Sequence, residues 1–332
     1  MALNETELIV AGGGMAGMTA ALVAARNGLA PMVLTGGLGQ GGHLLNIAKV
    51  EDFPGFPEGT PGYELCPALE EQAATAGAEF QTAALEGLRP SDAGWQIQTS
   101  EGDYRAEAVI LATGSEIRML GVPGEDRLRG KGVSSCAACD GPLFQGKTVA
   151  VVGDGDSALL EALELVEFVG RIVVFARDAT LSGQHVYRER VLAHPMIDVR
   201  YETSVEEILG EDRVAAVRIR NGQGEPGEEN VDAVFAYPGL VPNTAFLEGL
   251  LPLDKDGRVG TDVMLRTDRR GLFAAGDIRS DSVRQAIAAA GDGATAAIAA
   301  KQFLESNSWP TDDADRAKSQ PACHHDGEVV TS

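Results

Sequence analysis

The chain has 332 residues, 44% of them apolar and 23% charged, and carries a formal charge of −22. That length accommodates two cores at roughly 150 residues per domain, and the apolar–charged balance is ordinary for a folded globular protein. A surface this acidic repels phosphate backbones and anionic lipid, so neither nucleic acid nor a membrane is expected as a partner.

Met1-Ala-Leu-Asn-Glu-Thr-Glu7 has two early acids and no basic start, unlike a secretory leader. No apolar run approaches the ~18 residues of a spanning helix, so a cytoplasmic location is expected. Glu7-Leu-Ile-Val-Ala11 reads as a short buried strand. It runs into Gly12-Gly-Gly-Met-Ala-Gly17 and an Ala-rich helix that stops at Asn27-Gly28, a good left-handed terminator. Pro31-Met-Val-Leu-Thr35 and Ala108-Val-Ile-Leu-Ala112 follow as strands. The opening unit then recurs. Strand Thr148-Val-Ala-Val-Val152 leads into Gly153-Asp-Gly-Asp-Ser-Ala158, a helix from Leu159 capped by Gly170, and strand Ile172-Val-Val-Phe175. Ala233 to Tyr237 and Leu272 to Ala275 are further short strands. A helix is predicted from Val283, and residues 309–332 read as a flexible tail.

Both loops fit G-x-G-x-x-G/A between a strand and a helix, the context in which that spacing carries meaning. Gly12 and Gly153 make the tight turn. Gly14 and Gly155 let backbone approach a pyrophosphate, and Gly17 and Ala158 let helix and strand pack closely. The helix N-terminus then presents free N–H groups and a positive dipole end to phosphates.

The chain has 4 cysteines, too few for a disulfide scaffold. Cys136 and Cys139 lie three apart, a spacing that in a reducing compartment points to redox chemistry or metal binding. No second C-x-x-C or paired histidine stands at finger-like spacing, so no metal is expected.

Several ordered blocks now point to one family. They are Gly12 to Gly17, Gly41-Gly-His-Leu44, Val50-Glu-Asp-Phe-Pro-Gly55, Ala112-Thr-Gly114 and Cys136-Ala-Ala-Cys139-Asp140-Gly141. Val152-Gly-Asp-Gly155, Pro242-Asn-Thr244, Ala275-Gly-Asp277 and Arg284-Gln-Ala286 follow. Over residues 5–305 the sequence resembles the low-molecular-weight thioredoxin reductases, and the dithiol just before the second glycine loop is the most specific mark. The resemblance implies an α/β protein of two Rossmann-like, three-layer ββα nucleotide-binding domains, the second inserted into the first. Residues 1–118 and 247–308 would bind FAD. Residues 119–246 would carry the dithiol and an NADPH or NADH site, swinging on hinges near Glu116 and Asn243. A homodimer is expected, acting on a thioredoxin-like protein or a small disulfide.

The resemblance also implies roles. Cys139 faces the flavin, Cys136 attacks the partner's disulfide, and Asp140 handles the proton of the leaving thiol. Gly12, Gly14, Ala16 and Gly17 hold the FAD pyrophosphate, while Gly42, His43, Leu44, Asp52, Ala112 and Gly114 line the cofactor. Gly276 and Asp277 hold its ribityl or phosphate region. Arg284, Gln285 and Ala286 start a helix whose positive end favours reduced flavin. Gly153, Gly155, Ala158 and Arg177 serve the second nucleotide.

Thr35-Gly36 stands where many dinucleotide folds end the second strand with an acid, as is common in this family. Two departures stand out. His43 replaces a typical glutamine. Where NADPH-using members carry a His-Arg-Arg run and a further Arg, this chain has Phe175-Ala-Arg177-Asp178-Ala-Thr-Leu181. Arg177 alone survives, with Arg188 and Arg190 as substitutes from another loop. The readings are a disulfide reductase fed by NADPH or NADH, a relative fed by another donor such as ferredoxin or flavodoxin, and a dithiol oxidase handing electrons to oxygen. A sensor without turnover is the remaining class. Cys66 reads as a packed thiol on a helix, and Cys323-His-His325 as part of the solvated tail.

Overall fold

The computed structural model describes residues 4–36 and 40–310. The first parallel unit comprises β1 (Asn4–Ala11), α1 (Met15–Arg26) and β2 (Pro31–Thr35), then α2 (Gly62–Thr75) and β3 (Glu79–Thr82). β4 (Leu85–Ser91), β5 (Gly94–Thr99) and β6 (Gly102–Leu111) complete a seven-stranded sheet of order β3-β2-β1-β6-β5-β4. β6 serves two neighbours along one edge. Gly102 to Ala106 pair antiparallel with β5, and Val109 to Leu111 pair parallel with a strand from much later in the chain.

Period-2 alternation explains the three layers. Leu8 and Val10 of β1 point into a core with α1, whereas Ile9 and Ala11 point the other way, toward Trp95 and Ile97. α1 buries Ala16, Gly17, Ala20, Ala21, Ala24 and Ala25, small residues that let it lie close to its neighbours. It ends at Asn27, whose Nδ2 donates to the Val23 carbonyl at 2.8 Å, and at left-handed Gly28.

Residues 115–117 form β7 (Ser115–Ile117), after which come α3 (Glu125–Leu128), β8 (Val133–Ser134) and α4 (Ala137–Asp140). β9 (Thr148–Val152), α5 (Asp156–Leu165), β10 (Arg171–Phe175), α6 (His185–Ala193) and β11 (Ile197–Arg200) build the second parallel unit. β12 (Ser204–Leu209), β13 (Ala216–Arg220) and β14 (Pro226–Asn230) form an antiparallel layer, and β15 (Ala233–Ala236) closes a five-stranded sheet of order β11-β10-β9-β15-β8. Val149, Val151, Ile172 and Val174 face Ala158, Ala162 and Leu165 of α5. Ala150, Val152, Val173 and Phe175 face Val205, Ile208 and Val217 of the antiparallel layer. Each fully buried Val or Ile in such a layer contributes ~1.5–3 kcal/mol.

The return passes through β16 (Leu240–Pro242), which pairs antiparallel with β7. The expected hinges therefore lie side by side. Asn243 is clamped beyond them: its N–H donates to the Gly114 carbonyl at 3.0 Å, and its Nδ2 to the Thr113 carbonyl at 2.9 Å. β17 (Leu272–Ala274) and α7 (Ala286–Ser306) then rejoin the first sheet. The architecture is the expected α/β pair of Rossmann-like units, the second inserted into the first.

Four boundaries differ from expectation. β1 starts at Asn4, because its N-terminal residues pair with Tyr104 to Ala106 of β6. α5 ends at Leu165, since Glu167 and Phe168 bond three residues back and tighten the last turn. The helix predicted from Val283 begins at Ala286. Arg284 is left-handed (φ 55°) with its N–H on the Ser282 hydroxyl, and Gln285 is extended. Trp309 does not belong to a solvated tail: its ring packs edge-on against Phe273 and Phe303. Residues 311–332, with Cys323, lie outside the described residues.

Candidate active site

The first glycine loop is shaped by contact. Gly12 is at φ +120°, and a Cβ there would stand 2.1 Å from the Ala112 carbonyl oxygen. A Cβ on Gly17 would stand 1.8 Å from the Gly12 carbonyl oxygen. Gly14, in contrast, would meet nothing within 4 Å, and it caps α1 with no side chain bonded there and no acid in the first turn. Open space in front of an uncapped helix N-terminus fits a dinucleotide pyrophosphate. FAD passes this test.

Two of the predicted cofactor-lining residues, Gly42 and Ala112, lie against that loop. Gly42 is left-handed (φ +57°), a Cβ on it would meet the Gly14 Cα at 3.9 Å, and the Gly41 N–H donates to the Gly13 carbonyl at 2.7 Å. Leu44 presents its carbonyl closely against Gly62. His43 Nε2 lies 2.7 Å from the Ser115 carbonyl, tying this segment to β7. The Ser115 and Ser282 hydroxyls each lie 3.4 Å from the Asp277 carboxylate. Gly276 is left-handed (φ +77°), and its N–H donates to Asp292, which also accepts from Arg279. Ala286 is the first residue of α7, whose N-terminus carries no side-chain cap and no acid. Cys66 packs beneath the Gly41 turn, and burial pushes its thiol up to about 11, so it stays an inert, protonated core group.

Cys136 and Cys139 form a disulfide at the start of α4, with Cα atoms 5.3 Å apart. Cys136 is the N-cap, and its Sγ accepts the Cys139 N–H at 3.2 Å. Cys139 is exposed, Cys136 half-buried, and Asp140 follows at the end of the turn. Among the described residues no cluster could hold a metal ion. Beneath the turn lies a group that pattern reading missed. Glu161 of α5 accepts the Ala137 N–H at 2.5 Å and the Tyr237 phenol O–H at 2.8 Å.

The second glycine loop repeats the first. A Cβ on Gly153 would sit 2.4 Å from the Tyr237 carbonyl oxygen, while one on Gly155 would meet only the Ser182 hydroxyl, at 3.8 Å. Ala158 is buried against Gly153. Here, however, acids frame the site. Asp154 accepts the Ser182 O–H at 2.6 Å, and Asp156 accepts the Gln184 N–H at 2.6 Å. The cations are few. Arg177 is exposed, Arg188 donates to the Leu181 carbonyl at 3.4 Å, and Arg190 pairs with Glu51 at 2.8 Å. A dinucleotide backbone fits the loop, and of Phe175, Ala176, Arg177 and Leu181 only Arg177 is a cation. The loop also faces the other half of the molecule. Gln184 donates to Asp52 at 3.1 Å, and Gln285 to Asp156 at 3.4 Å. Asp52, expected to line the cofactor, thus contacts the inserted half.

The family model for pyridine nucleotide-disulphide oxidoreductases matches residues 6–293. A thioredoxin reductase of Treponema pallidum is 40% identical over 91% of this chain and 98% of its own. The crystal structure of Lactococcus lactis thioredoxin reductase in its FR conformation superposes with a TM-score of 0.88, at 33% identity, covering 90% of this chain and 99% of that one. A Streptococcus pyogenes thioredoxin reductase, 35% identical over 92% of this chain and 100% of its own, superposes with 0.61. With both glycine loops and the dithiol in place, the chain belongs to the pyridine nucleotide-disulphide oxidoreductase family, among its thioredoxin reductases, and is a flavin-dependent disulfide reductase that uses FAD.

Proposed function

We propose that this enzyme takes an electron pair from a nicotinamide dinucleotide and delivers it, through Cys136 and Cys139, to the disulfide of a thioredoxin-like protein. The observation that carries this reading is the Cys136–Cys139 disulfide on the inserted half, with Cys139 exposed and its turn bonded to α5, the helix that follows the second glycine loop. Residues 1–118 and 247–308 form the FAD-binding domain and 119–246 the inserted one, in a cytoplasmic homodimer. No helix among the described residues is long and apolar enough to cross a membrane.

FAD supplies the two-electron carrier between donor and dithiol. Gly12, Gly14, Ala16 and Gly17 bind its pyrophosphate, and Gly42, His43, Leu44, Asp52, Ala112 and Gly114 line it. Gly276 and Asp277 hold its ribityl or phosphate region. Arg284, Gln285 and Ala286 set the α7 N-terminus, whose dipole favours negative charge on the ring. In the reduced pair the Cys136 thiolate attacks the substrate disulfide, forming a mixed disulfide. One substrate thiolate leaves and takes a proton from Asp140. Cys139 then attacks the Cys136 sulfur, closing the pair and releasing the second substrate thiol.

Residues 115–117 and 240–242 carry the swing of the inserted domain. Two relatives of nearly equal identity and coverage superpose with TM-scores of 0.88 and 0.61, as expected of two rigid domains in two arrangements. Gly153, Gly155 and Ala158 accept the donor's pyrophosphate, with Arg177 the one nearby cation of the family's set. Losing two charge-assisted phosphate contacts at ~1.5–3 kcal/mol each weakens NADPH by ~100-fold or more, and no clear acid takes over the ribose role for NADH.

Stopped-flow mixing of the purified enzyme with NADPH, NADH and reduced ferredoxin tests the donor. Bleaching of the flavin band by a dinucleotide is expected, and bleaching by ferredoxin alone would reassign it. Cys136→Ser with Cys139→Ser should abolish disulfide turnover while flavin remains bound; a colourless protein would end the proposal. Sedimentation velocity tests the dimer.

A further inference from the structure

The Glu161 cluster is used by none of the steps above. Its carboxylate accepts the N–H of Ala137, the residue between Cys136 and the rest of the dithiol turn, and the O–H of Tyr237. These come from three separate segments: α5, α4 and the loop after β15. Ala137 is fully buried, Tyr237 nearly so, and the turn is pinned to α5 at this point.

The neighbours of the carboxylate are known on each side. Its own helix contributes Glu164 one turn on. α4 contributes the Ala137 N–H, the loop after β15 contributes Tyr237, and Asp140 acts in turn on that phenol. β9 and β10 face α5 with Val149, Val151, Ile172 and Val174, and α6 meets Leu159 of α5 with Tyr187 and Val191. Burial raises Glu161 above the usual carboxylate range, partly offset by the Ala137 and Tyr237 hydrogen bonds. Burial and then the Glu161 charge push Glu164 up to about 7. Burial and the surrounding acids raise the Tyr237 phenol, so it remains a donor.

We propose that Glu161 is a positioning residue for the dithiol, anchoring the turn between the two sulfurs and taking up a proton when the disulfide opens. This rests on the proposed redox role of the pair. Two electrons from the reduced flavin break the S–S bond. One sulfur takes a proton and becomes a thiol, and the other becomes a thiolate. That new negative charge arises on the turn whose Ala137 N–H Glu161 holds, and Glu164 lies one helical turn further along α5. The Glu161–Glu164 pair relieves it by binding a second proton, so reduction near neutral pH consumes two protons per electron pair instead of one. Such coupled groups titrate as a unit, and the proton belongs to the cluster.

The test is the pH dependence of the dithiol's potential in the holoenzyme. It is read by equilibration in thiol–disulfide buffers, acid quench and alkylation of the reduced pair. Glu161→Gln keeps an oxygen that accepts both hydrogen bonds, so the turn stays in place. Just above pH 7, where the cluster has lost its proton while the disulfide is intact, the wild type should show a two-proton slope and the variant a one-proton slope, a twofold drop. A reduced-minus-oxidised infrared spectrum should show a protonated-carboxyl band that the variant lacks. Tyr237→Phe removes the O–H that stabilises the carboxylate and should extend the two-proton range to higher pH. A slope unchanged in Glu161→Gln, or an absent carboxyl band, overturns the proposal while leaving the enzyme's function standing. Absence of any reducible pair would overturn the functional reading instead.

Discussion

Arg190 on α6 sets its guanidinium 2.8 Å from the Glu51 carboxylate, joining the inserted half to the half that holds the first glycine loop. Gln184 on Asp52 reinforces the contact at 3.1 Å. Both ions are partly exposed, so the pair contributes at most ~1 kcal/mol and is screened by salt. Arg190→Gln should therefore lower the population of this arrangement by up to ~5-fold at low salt and make it insensitive to added salt. Distance distributions between spin labels on the two halves report it. Superimposable distributions for variant and wild type at low salt would show that the pair holds nothing.

Gly14 and Gly17 should separate cofactor binding from folding. A Cβ at Gly17 collides with the Gly12 carbonyl oxygen at 1.8 Å, and α1 must move off the sheet to admit it. Gly17→Ala should cost ~3 kcal/mol or more and yield little soluble protein. Gly14 has an ordinary φ of −80° and open space before it. Gly14→Ala should fold with an unchanged apoprotein Tm yet bind FAD at least ~10-fold more weakly, because the methyl enters the phosphate space. Equal FAD affinity, by absorbance titration of the apoprotein, would place the pyrophosphate elsewhere.

Those two glycines were legible in the sequence because their reasons are local: a strand, a turn and a helix within six residues. Gly293 shows the opposite case. Its Cβ would meet the Ala16 carbonyl oxygen at 2.1 Å, so it lets α7 and α1 touch, but nothing near 293 announces a partner at 16. The Tyr237–Glu161 bond spans 76 positions, and neither residue lies in a recognised block. Hydrophobic periodicity also placed the α7 start too early. The run from Val283 suits a helix, but the Ser282 hydroxyl captures the Arg284 N–H and holds that residue left-handed. The cationic positions of the second nucleotide site were legible as losses at 175, 176 and 181. That Arg190 is taken by Glu51 required the fold.

Glu164 predicts a pH-dependent stability. Burial first, and the Glu161 charge second, push its carboxyl from an ordinary 4.5 up to about 7. Between those values the folded protein binds more protons than the unfolded chain, so stability falls as pH rises through the window. Glu164→Gln removes that titration. It should gain ~1 kcal/mol at pH 8, allowing for solvent screening, and about nothing below pH 4.5. Urea unfolding of variant and wild type at both pH values reads the difference. A gain of equal size at both pH values would mean that the substitution acts through packing and not through charge.

Trp309 carries the last expectation. Its ring meets Phe273 at 5.2 Å and Phe303 at 5.4 Å, both near perpendicular, so it bridges β17 and the end of α7. Edge-to-face pairs add ~0.5–1.5 kcal/mol each beyond area burial. Trp309→Ala should therefore cost ~2–4 kcal/mol, since Phe303 and Phe273 cannot close over the space of an indole. Trp309→Phe should recover more than half of that, because one perpendicular ring contact survives. Calorimetry of the three proteins decides it. If alanine and phenylalanine lose the same amount, the indole is held by something other than its two ring neighbours, and residue 309 is anchored by a different contact.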